Sequence, residues 1–561
     1  MKWKSLLLFL LWSAPAYAVV ELCGDGIDND SSGGDLACPS PDADDDGYAS
    51  DGTGSETGTD CDDTNRFIFP GIWVATGCSA GQAKECQADG TYTACGAPTE
   101  GSGTQYFINF TSGTDGGSCT SGSPCKTFLQ FVDYYDPGDE PAGYHGLSAG
   151  DTLWVMGGTD TSTFTYNGYK QAFFLRTSSG TSAQPIRIIS PYGSGAVWNP
   201  GCTSGAPCVP VMLETSNYIH IYGLSITGGY GGSGNRLEGS GIATDGDYGK
   251  VVATTIYDNR GANSNNPCGI NVADSPTDWE LSHNKIYDNR DATAGVNENE
   301  RGICLFTGTG TRIHHNVVYN TAAHTDANDA AGCIVWKHGQ ATASNEIDRN
   351  ILWNCYQTAI GSNNAGTHIH HNRIFDSQRW VMLHDFAGTH FIKGNLVEYN
   401  TVLNGGFAEI NAELTSGSFT TNTFQYNVIV DDDSAYGNED AWQTIFTYGT
   451  DSERTAYIGG GFHASNNNCY YNSLATTLQF CDFCSTSGGQ TAGSLLTWAN
   501  WVAAGYDATT FNKNPVLDSY HIATDADCDA WGWKTPAGGG GGGGPPAAAN
   551  TNFCFYRMKS L

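Results

Sequence analysis

Positive charge is scarce in this sequence. Only 25 of the 561 residues are Lys or Arg, against 58 Asp or Glu, so the formal net charge is −33 at neutral pH. This excess of negative charge excludes nucleic acid and anionic membrane surfaces as expected partners, because both repel an acidic protein. Long apolar runs and sustained helical periods are also missing, which argues against a membrane span in the mature chain and against a helical fold. We expect the protein to be monomeric.

What the sequence does contain indicates an exported protein with a packed core. Aromatic residues make up 12% of the chain, and there are 73 Gly and 19 Cys. Residues 1–18 have the order of a secretory signal peptide: Lys2 and Lys4, an apolar run from Leu6 to Trp12, and a small-residue cleavage site at Ala16-Tyr-Ala18. Export to an oxidising compartment explains the cysteines, so we predict a secreted or bacterial cell-surface protein.

Some of these cysteines are close enough in sequence to form local disulfides. The closest pairs are Cys119 with Cys125, Cys202 with Cys208, and Cys481 with Cys484. The odd total leaves at least one cysteine unpaired or bonded between molecules.

One short phrase recurs along the chain and predicts the fold: Asn, any residue, two apolar or aromatic residues, then Asn or Asp. Its copies begin at Asn284, Asn316, Asn350, Asn372, Asn400, Asn427 and, more weakly, Asn468, after two degenerate copies at Leu224 and Thr254. Most repeats also carry a second short apolar run, such as Gly269-Ile-Asn-Val or Gly302-Ile-Cys-Leu. Repeats of two or three short strands without a helix are typical of a parallel β-helix, in which each strand pairs with its equivalent one coil away. Stacked Asn side chains then satisfy buried polar groups at a bend.

An acidic segment at 19–71 precedes the repeats. Its carboxylates alternate with small residues and glycine, as in loops that wrap oxygen ligands around Ca²⁺. The candidate metal ligands are Asp25, Asp28, Asp30, Asp42, Asp44, Asp46, Asp60, Asp62 and Asp63.

Residues 72–102, with Cys78, Cys86 and Cys95, are predicted to be a disulfide-tied connector. Residues 536–561 are predicted to be a Gly/Pro/Ala linker with a short tail.

The acidic segment resembles the MopE-like metal-binding repeat of secreted bacterial proteins. The resemblance rests on Cys23-Gly-Asp-Gly-Ile-Asp-Asn-Asp30, on Asp46-Gly-Tyr48 and on Asp60-Cys-Asp-Asp63. It departs at Ser31 and Ser32, where the family continues Cys-Asp-Gly, and this implies that the first disulfide is re-routed to Cys38. The family is named for copper binding, but carboxylate ligands favour Ca²⁺.

Residues 103–535 resemble the pectate-lyase-like superfamily of right-handed parallel β-helices. The matching segments are Ala149-Gly-Asp-Thr-Leu, Gly180-Thr-Ser-Ala-Gln-Pro-Ile and Ser216 to Ile226. The resemblance implies an all-β fold of about nine to eleven coils with an N-terminal cap, for which Phe128 to Tyr135 would form a short helix.

Loop insertions at 229–240, 261–268, 291–301 and 321–331 precede equivalent strands, so we expect them to line one groove. Alternation predicts that Ile270, Val272, Ile303, Leu305, Cys333 and Val335 face inward. The outward set then offers substrate-binding residues, with Trp336 stacking on a sugar ring. These residues are Trp336, His338, Asn271, Glu409 and Asn411.

Two interpretations of the groove lead. In the first, the protein binds extracellular polysaccharide or a cell-surface glycan without catalysis. In the second, the superfamily resemblance implies a polysaccharide lyase acting on a uronate-containing glycan, with Lys337 as base, Arg301 or His384 assisting, and Asp326 and Asp329 near a metal ion. A glycoside hydrolase is a third alternative and would need paired carboxylates such as Asp245 with Glu238 or Glu409. The net negative charge disfavours an acidic substrate, so we favour binding slightly.

Overall fold

The computed structural model gives the fold of most of the chain. It describes residues 23, 37–38, 42–134, 139–166, 169–203, 207–231, 239–261, 267–273, 276–291, 301–320, 332–336, 344–355, 357–384, 394–411, 422–431, 442–447, 463–472, 479–481, 495–503 and 511–512. The predicted signal peptide and the predicted linker and tail lie outside the described residues, as do most residues of the four loop insertions.

Three long sheets form the body of the protein. Sheet A contains the strands Phe164–Tyr166, Tyr169–Leu175, Cys208–Leu213, Ile242–Thr244, Cys268–Val272, Arg301–Leu305, Gly332–Trp336, Thr358–Ser362, Arg379–His384, Phe407–Asn411, Trp442–Thr447, Gln479–Cys481 and Leu495–Thr497. Sheet B contains Gln105–Ile108, Thr152–Val155, Ile186–Ile189, Ile219–Tyr222, Lys250–Val252, Glu280–Ser282, Arg312–His314, Glu346–Asp348, His368–His370, Leu396–Glu398, Asn422–Gln425 and His463–Asn466. Sheet C contains Gly158–Asp160, Ala196–Trp198, Ser225–Ile226, Thr255–Tyr257, Lys285–Tyr287, Val317–Tyr319, Ile351–Trp353, Arg373–Phe375, Thr401–Leu403, Val428–Asp431, Cys469–Asn472 and Phe511–Asn512.

Each coil contributes strands to sheets A, B and C in that order, and the next coil then stacks on it. Ten successive coils, from the one starting at Tyr169 to the one starting at Trp442, contribute a strand to every sheet. Neighbouring coils pair in parallel, as where Ile270 lies beside Ile303 and Ile303 beside Ile334. The predicted all-β, parallel β-helix is therefore confirmed.

Smaller elements complete the described structure. Trp73–Val74 pairs antiparallel with Lys84–Glu85, and Arg260–Gly261 pairs parallel with Arg290–Asp291. A 3-10 helix spans Phe128–Gln130 and an α-helix spans Trp498–Ala503. Among the described residues, no helix is long and apolar enough to cross a membrane.

The N-terminal cap is shorter than the helix expected from Phe128 to Tyr135. Its single 3-10 turn lays Phe128 against Trp198 with ring centroids 3.7 Å apart, which closes the end of the core. Beyond the turn, one carboxylate oxygen of Asp133 accepts backbone N–H groups of Arg176, Thr177 and Ser178 at 2.7–2.9 Å, which ties this segment to the end of a sheet A strand.

Stacked asparagines hold the bend between sheets B and C. The side-chain amide of each Asn donates to the side-chain oxygen of the next at 2.9–3.0 Å, and all are buried. The continuous stack is Asn284, Asn316, Asn350, Asn372, Asn400, Asn427 and Asn468. The residue before each Asn has a left-handed backbone, for example φ 52° at His315 and 53° at Arg349. That conformation turns the chain and leaves main-chain polar groups for the amides to satisfy.

Disulfides reinforce the described chain at several levels. The predicted pairs Cys119–Cys125 and Cys202–Cys208 are present, and Cys23 pairs with Cys38 as the departure from the MopE-like pattern implied. The other described bridges are Cys61–Cys86, Cys78–Cys95, Cys268–Cys304 and Cys333–Cys355. Bridges of this kind are typical of extracellular proteins. Cys484 lies outside the described residues.

The Asn stack gives the first test. Asn350→Ala removes an oxygen that accepts from Asn316 and an amide that donates to Ile313 and Asn372. Because these partners stay buried, we expect the free energy of unfolding in urea to fall by at least about 2 kcal/mol. The exposed Asn500→Ala serves as control and should change it by less than about 0.5 kcal/mol. Equal effects of the two substitutions would show that the stack does not stabilise the bend.

Candidate functional site

The first part of the site is a cluster of carboxylates in the acidic segment. Asp42, Asp44 and Asp46 occupy alternate positions, and the positive φ values of Asp45 (56°) and Gly47 (95°) curl the loop around them. Backbone N–H groups hold the carboxylates in place: Gly47 donates to Asp42 at 2.9 Å and Tyr48 donates to Asp46 at 2.8 Å. The loop thereby directs its carboxylates to one side.

A second stretch closes this cluster. Potential ligand atoms of Asp42, Asp44 and Asp63 lie within 4.8 Å of one another, as do those of Asp44, Asp46 and Asp60. The two groups share Asp44, so the five residues form one continuous set. Asp62 belongs to neither group and accepts the hydroxyl of Thr64 at 2.7 Å. Asp25, Asp28 and Asp30 lie outside the described residues, and their predicted role stays a prediction.

The clustered carboxylates are buried without enough donors. The second carboxylate oxygens of Asp44, Asp46 and Asp60 have no hydrogen-bond partner in the described part of the chain, and these residues are 3%, 0% and 6% exposed. Burial raises the pKa of Asp42 to about 8 and that of Asp60 to about 7, and with the neighbouring carboxylates it holds the pKa of Asp44 and Asp46 well above the usual range. An oxygen-binding cation fits this set, because it would satisfy the unpaired oxygens and neutralise their repulsion.

The same loop is docked on the β-helix. The carboxylate of Asp45 forms a buried ion pair with Arg373, the first residue of a sheet C strand, and these side chains are 7% and 1% exposed. The main-chain oxygen of Asp46 lies 2.7 Å from Nε2 of His283 at the bend between sheets B and C. From the acidic segment, Arg66 donates to the main-chain oxygen of His315 at 2.9 Å. Loop and β-helix therefore share one buried interface.

A cleft opens between this N-terminal region and the outer face of sheet B. Its volume is about 820 Å³. One wall is aromatic and is formed by Tyr48, Phe67, Phe69, Trp73, Tyr192 and Tyr222. The floor is a single outward-facing column in which each of five successive sheet B strands contributes one residue. These residues are Arg187, His220, Lys250, Glu280 and Arg312.

Ion pairs organise the charged floor. Lys250 pairs with Glu280 on the next coil, and Arg187 lies 3.7 Å from Glu100. Arg312 contacts Glu56 at 3.1 Å and Asp348 at 2.8 Å. Burial, with the nearby Lys250 and Arg187 cations, lowers the pKa of His220 to about 4, so its ring is neutral at pH 7. Along the floor, hydrogen-bond donors and acceptors therefore recur once per coil, beside the aromatic wall.

The groove predicted over sheet A is only partly described. Lys337, His338, Asp326 and Asp329 lie outside the described residues, so the proposed base and second metal position stay predictions. The backbones of His384 and Asn411 pair in register on adjacent strands of sheet A.

The orientation predicted for Trp336 is wrong. Trp336 lies in register with Leu305, which follows Val272 in the same inward column, and it is 0% exposed. The error arises at Gly332, which pairs with Arg301 and not with Gly302, so the face assignment slips by one residue. Ile334 continues the inward column of Ile303, and Val335, predicted to face inward, continues the outer column of Cys304.

The other predicted sheet A residues are described but covered. Arg301 is 0% exposed, with Nη1 4.0 Å from Sγ of Cys304. Asn271 is 0% exposed, and its amide lies 3.4 Å from the Ser240 hydroxyl. Glu409 is 6% exposed and forms an ion pair with Arg379. None of these three offers an open surface to a polymer.

Sequence reasoning missed the cleft over sheet B. The signal was present, because charged residues recur at the start of equivalent strands as Lys250, Glu280, Arg312 and Glu346. Its meaning depends on the N-terminal region, which folds back over these strands from more than a hundred residues away in sequence.

Comparisons with known proteins do not define a family for this chain. No family model and no curated relative matches the chain. Among solved structures, pectate lyase Pel9A aligns at 14% identity over 58% of this chain and 76% of its own, with a TM-score of 0.38. A mannuronic acid specific polysaccharide family 6 lyase from human gut microbiota aligns at 13% identity over 69% and 77%, with a TM-score of 0.43. A GH136 lacto-N-biosidase from Eubacterium ramulus aligns at 14% over 58% and 64%, with a TM-score of 0.32. At these values the similarity carries no information about activity.

The docking interface gives the second test. Arg373→Ala leaves the Asp45 carboxylate buried without its cation, so we expect the free energy of unfolding to fall by about 3–5 kcal/mol. Arg176→Ala is the matched control: its ion pair with Glu214 is 41% and 33% exposed and should contribute at most about 1 kcal/mol. Urea unfolding and limited proteolysis of residues 42–72 measure the two effects. Resistance to protease in Arg373→Ala equal to that of the unmodified protein would contradict a docked loop.

Proposed function

We propose that the protein is a secreted or cell-surface β-helix that binds extracellular carbohydrate in the cleft over sheet B, beneath an N-terminal module stabilised by Ca²⁺. The observation that carries the proposal is the pairing of an aromatic wall with a polar floor in one open cleft. Aromatic faces stack on the apolar faces of sugar rings, and charged side chains hydrogen-bond to their hydroxyls.

The calcium part of the proposal rests on the chemistry of the five carboxylates. Asp42, Asp44 and Asp46 have the spacing of the first three ligands of a calcium loop, and Gly47 follows at the turn position. Burial of unpaired carboxylate oxygens is costly, and a hard divalent cation removes that cost. Transition metals prefer nitrogen or sulfur ligands, so an all-oxygen set favours Ca²⁺.

The charge of the cleft favours a neutral saccharide. Its lining contains five carboxylates, from Glu56, Glu85, Glu100, Asp278 and Glu280, against three cations from Arg187, Lys250 and Arg312. A polyuronate would meet net repulsion from the cleft lining as a whole, in addition to the net charge of −33 of the whole chain. A neutral sugar would instead use the paired charges as hydrogen-bonding groups.

Calorimetry tests the metal. We expect Ca²⁺ to bind the unmodified protein and to bind Asp44→Asn at least about tenfold more weakly, because Asp44 belongs to both groups of clustered carboxylates and ligand charge tunes calcium affinity. Asp51→Asn changes an exposed Asp of the same segment and should leave the affinity unchanged. Equal Ca²⁺ affinity in the two variants, or no heat of binding in the unmodified protein, would refute the assignment.

A glycan array followed by titration tests the carbohydrate. We expect neutral oligosaccharides to bind and Tyr192→Ala to weaken binding by about 1–2 kcal/mol through loss of a stacking face. Tyr248→Ala is the control, since Tyr248 is an exposed ring outside the cleft lining. Binding that is equally strong in Tyr192→Ala and the unmodified protein would remove the cleft from the proposal.

The same purified protein distinguishes binding from catalysis. Incubation with a panel of polyuronates and Ca²⁺ should release no unsaturated product, as followed by ultraviolet absorbance. Release of such a product, and its loss in Lys337→Ala, would establish the lyase alternative at sheet A and contradict a purely binding role.

A further inference from the structure

A second group of metal-ligand side chains lies at the inner end of the cleft, apart from the carboxylate cluster. It consists of Glu56 from the N-terminal region and His314 and His315 from the β-helix. A ring nitrogen of each histidine and a carboxylate oxygen of Glu56 lie within 4.8 Å of one another. Glu56 and His314 line the cleft, so the group borders a space that solvent and ligands reach.

The two histidines are held in place by the fold. His314 ends a strand of sheet B, and His315 occupies the left-handed position before Asn316 in the Asn stack. Their Nδ1 atoms face each other at 2.9 Å, so one of the two nitrogens carries a proton there and the other accepts it. The His315 ring also stacks on that of His283, with centroids 5.0 Å apart. The Nε2 atom of His314 lies 3.9 Å from a carboxylate oxygen of Glu280, so a metal ion would bind His314 in place of one of these two contacts.

One of these imidazoles has an unused ligand atom. His315 is 1% exposed, and its Nε2 has no hydrogen-bond partner among the residues that the structure describes. An unpaired ring nitrogen in such surroundings costs free energy unless a partner occupies the space beside it. Glu56 and Gly47 bound that space, since a Cβ placed on Gly47 would come within 2.7 Å of the His315 Nε2 and 2.9 Å of the Glu56 Cγ.

We propose that Glu56, His314 and His315 bind a divalent transition-metal ion of the Zn²⁺ type between the N-terminal region and the β-helix. Two imidazoles and one carboxylate are a ligand set that Zn²⁺ accepts in tetrahedral coordination, with the fourth position left to water or to a ligand from the cleft. Ca²⁺ does not suit this set, because two of its three ligands are nitrogens.

The site would have a structural consequence. Glu56 reaches the group from the N-terminal region, where it also pairs with Arg312 of sheet B. A metal ion bound to Glu56 and to the histidines therefore cross-links the two regions on the side of the interface that faces the cleft. This proposal is independent of the saccharide, and its ligands are distinct from the carboxylates assigned to Ca²⁺.

Titration with Zn²⁺ tests the proposal on the full chain without a polyhistidine tag. Millimolar Ca²⁺ keeps the carboxylate cluster occupied, and Co²⁺ in place of Zn²⁺ reports tetrahedral coordination through its visible absorption. We expect one equivalent of Zn²⁺, and a loss of affinity of more than about 100-fold in His315→Asn, since changes beyond the direct ligands already cost about 10–100-fold. Asn is chosen because it tolerates the left-handed backbone of residue 315.

Matched variants separate the outcomes. Glu56→Gln should also weaken Zn²⁺ binding, whereas His145→Asn removes a histidine beside the Cys119–Cys125 disulfide and should not. Unfolding curves in chelator identify any variant that fails to fold. Unchanged Zn²⁺ affinity in His315→Asn and Glu56→Gln would overturn the proposal, as would an absence of Zn²⁺ binding by the unmodified protein. Loss of Zn²⁺ binding only in Glu346→Gln or His368→Asn would also overturn it, by moving the ion to another cluster of sheet B.

Discussion

The requirement that buried polar groups be paired controls this structure. A parallel β-helix must turn sharply three times per coil, and each turn brings main-chain groups toward the core. At the bend between sheets B and C, one Asn in each of the last seven of the ten coils resolves the conflict, by bonding to the Asn of the next coil and to main-chain oxygens. The regular bend fixes the register of the strands, and the register in turn aligns side chains of one type into columns.

The residues of these columns form the candidate functional site. Outward positions of sheet B bring Lys250, Glu280 and Arg312 into one line, although they are separated by about a repeat in sequence. The left-handed positions before the stacked Asn residues carry His283 and His315, which meet the N-terminal region. The regular bend therefore positions both the residues that form the floor of the cleft and the residues on which the N-terminal region docks.

The N-terminal region links the metal chemistry to this surface. Asp45 lies between two of the clustered carboxylates and is paired with Arg373 of the β-helix, so the loop that would hold Ca²⁺ is also the loop that docks. Four of its neighbours, Asp42, Asp44, Asp46 and Asp60, are buried together, and their mutual repulsion opposes docking unless a cation is bound. Cation binding and closure over sheet B are thus expected to support each other.

The sequence alone determined the repeat, the parallel β-helix, the Asn stack and the acidic loop, because each depends on short-range spacing that recurs or that one loop contains. The facing of residues within a strand depends on register. Alignment of Gly332 with Gly302 predicts an outward Trp336, but Gly332 pairs with Arg301, and a shift of one position reverses every face. Only the tertiary structure decided that the acidic region folds onto sheet B and that Glu56 meets His315. Such contacts join residues more than two hundred positions apart, and no local pattern of charge or apolarity encodes which surface a separate segment will cover.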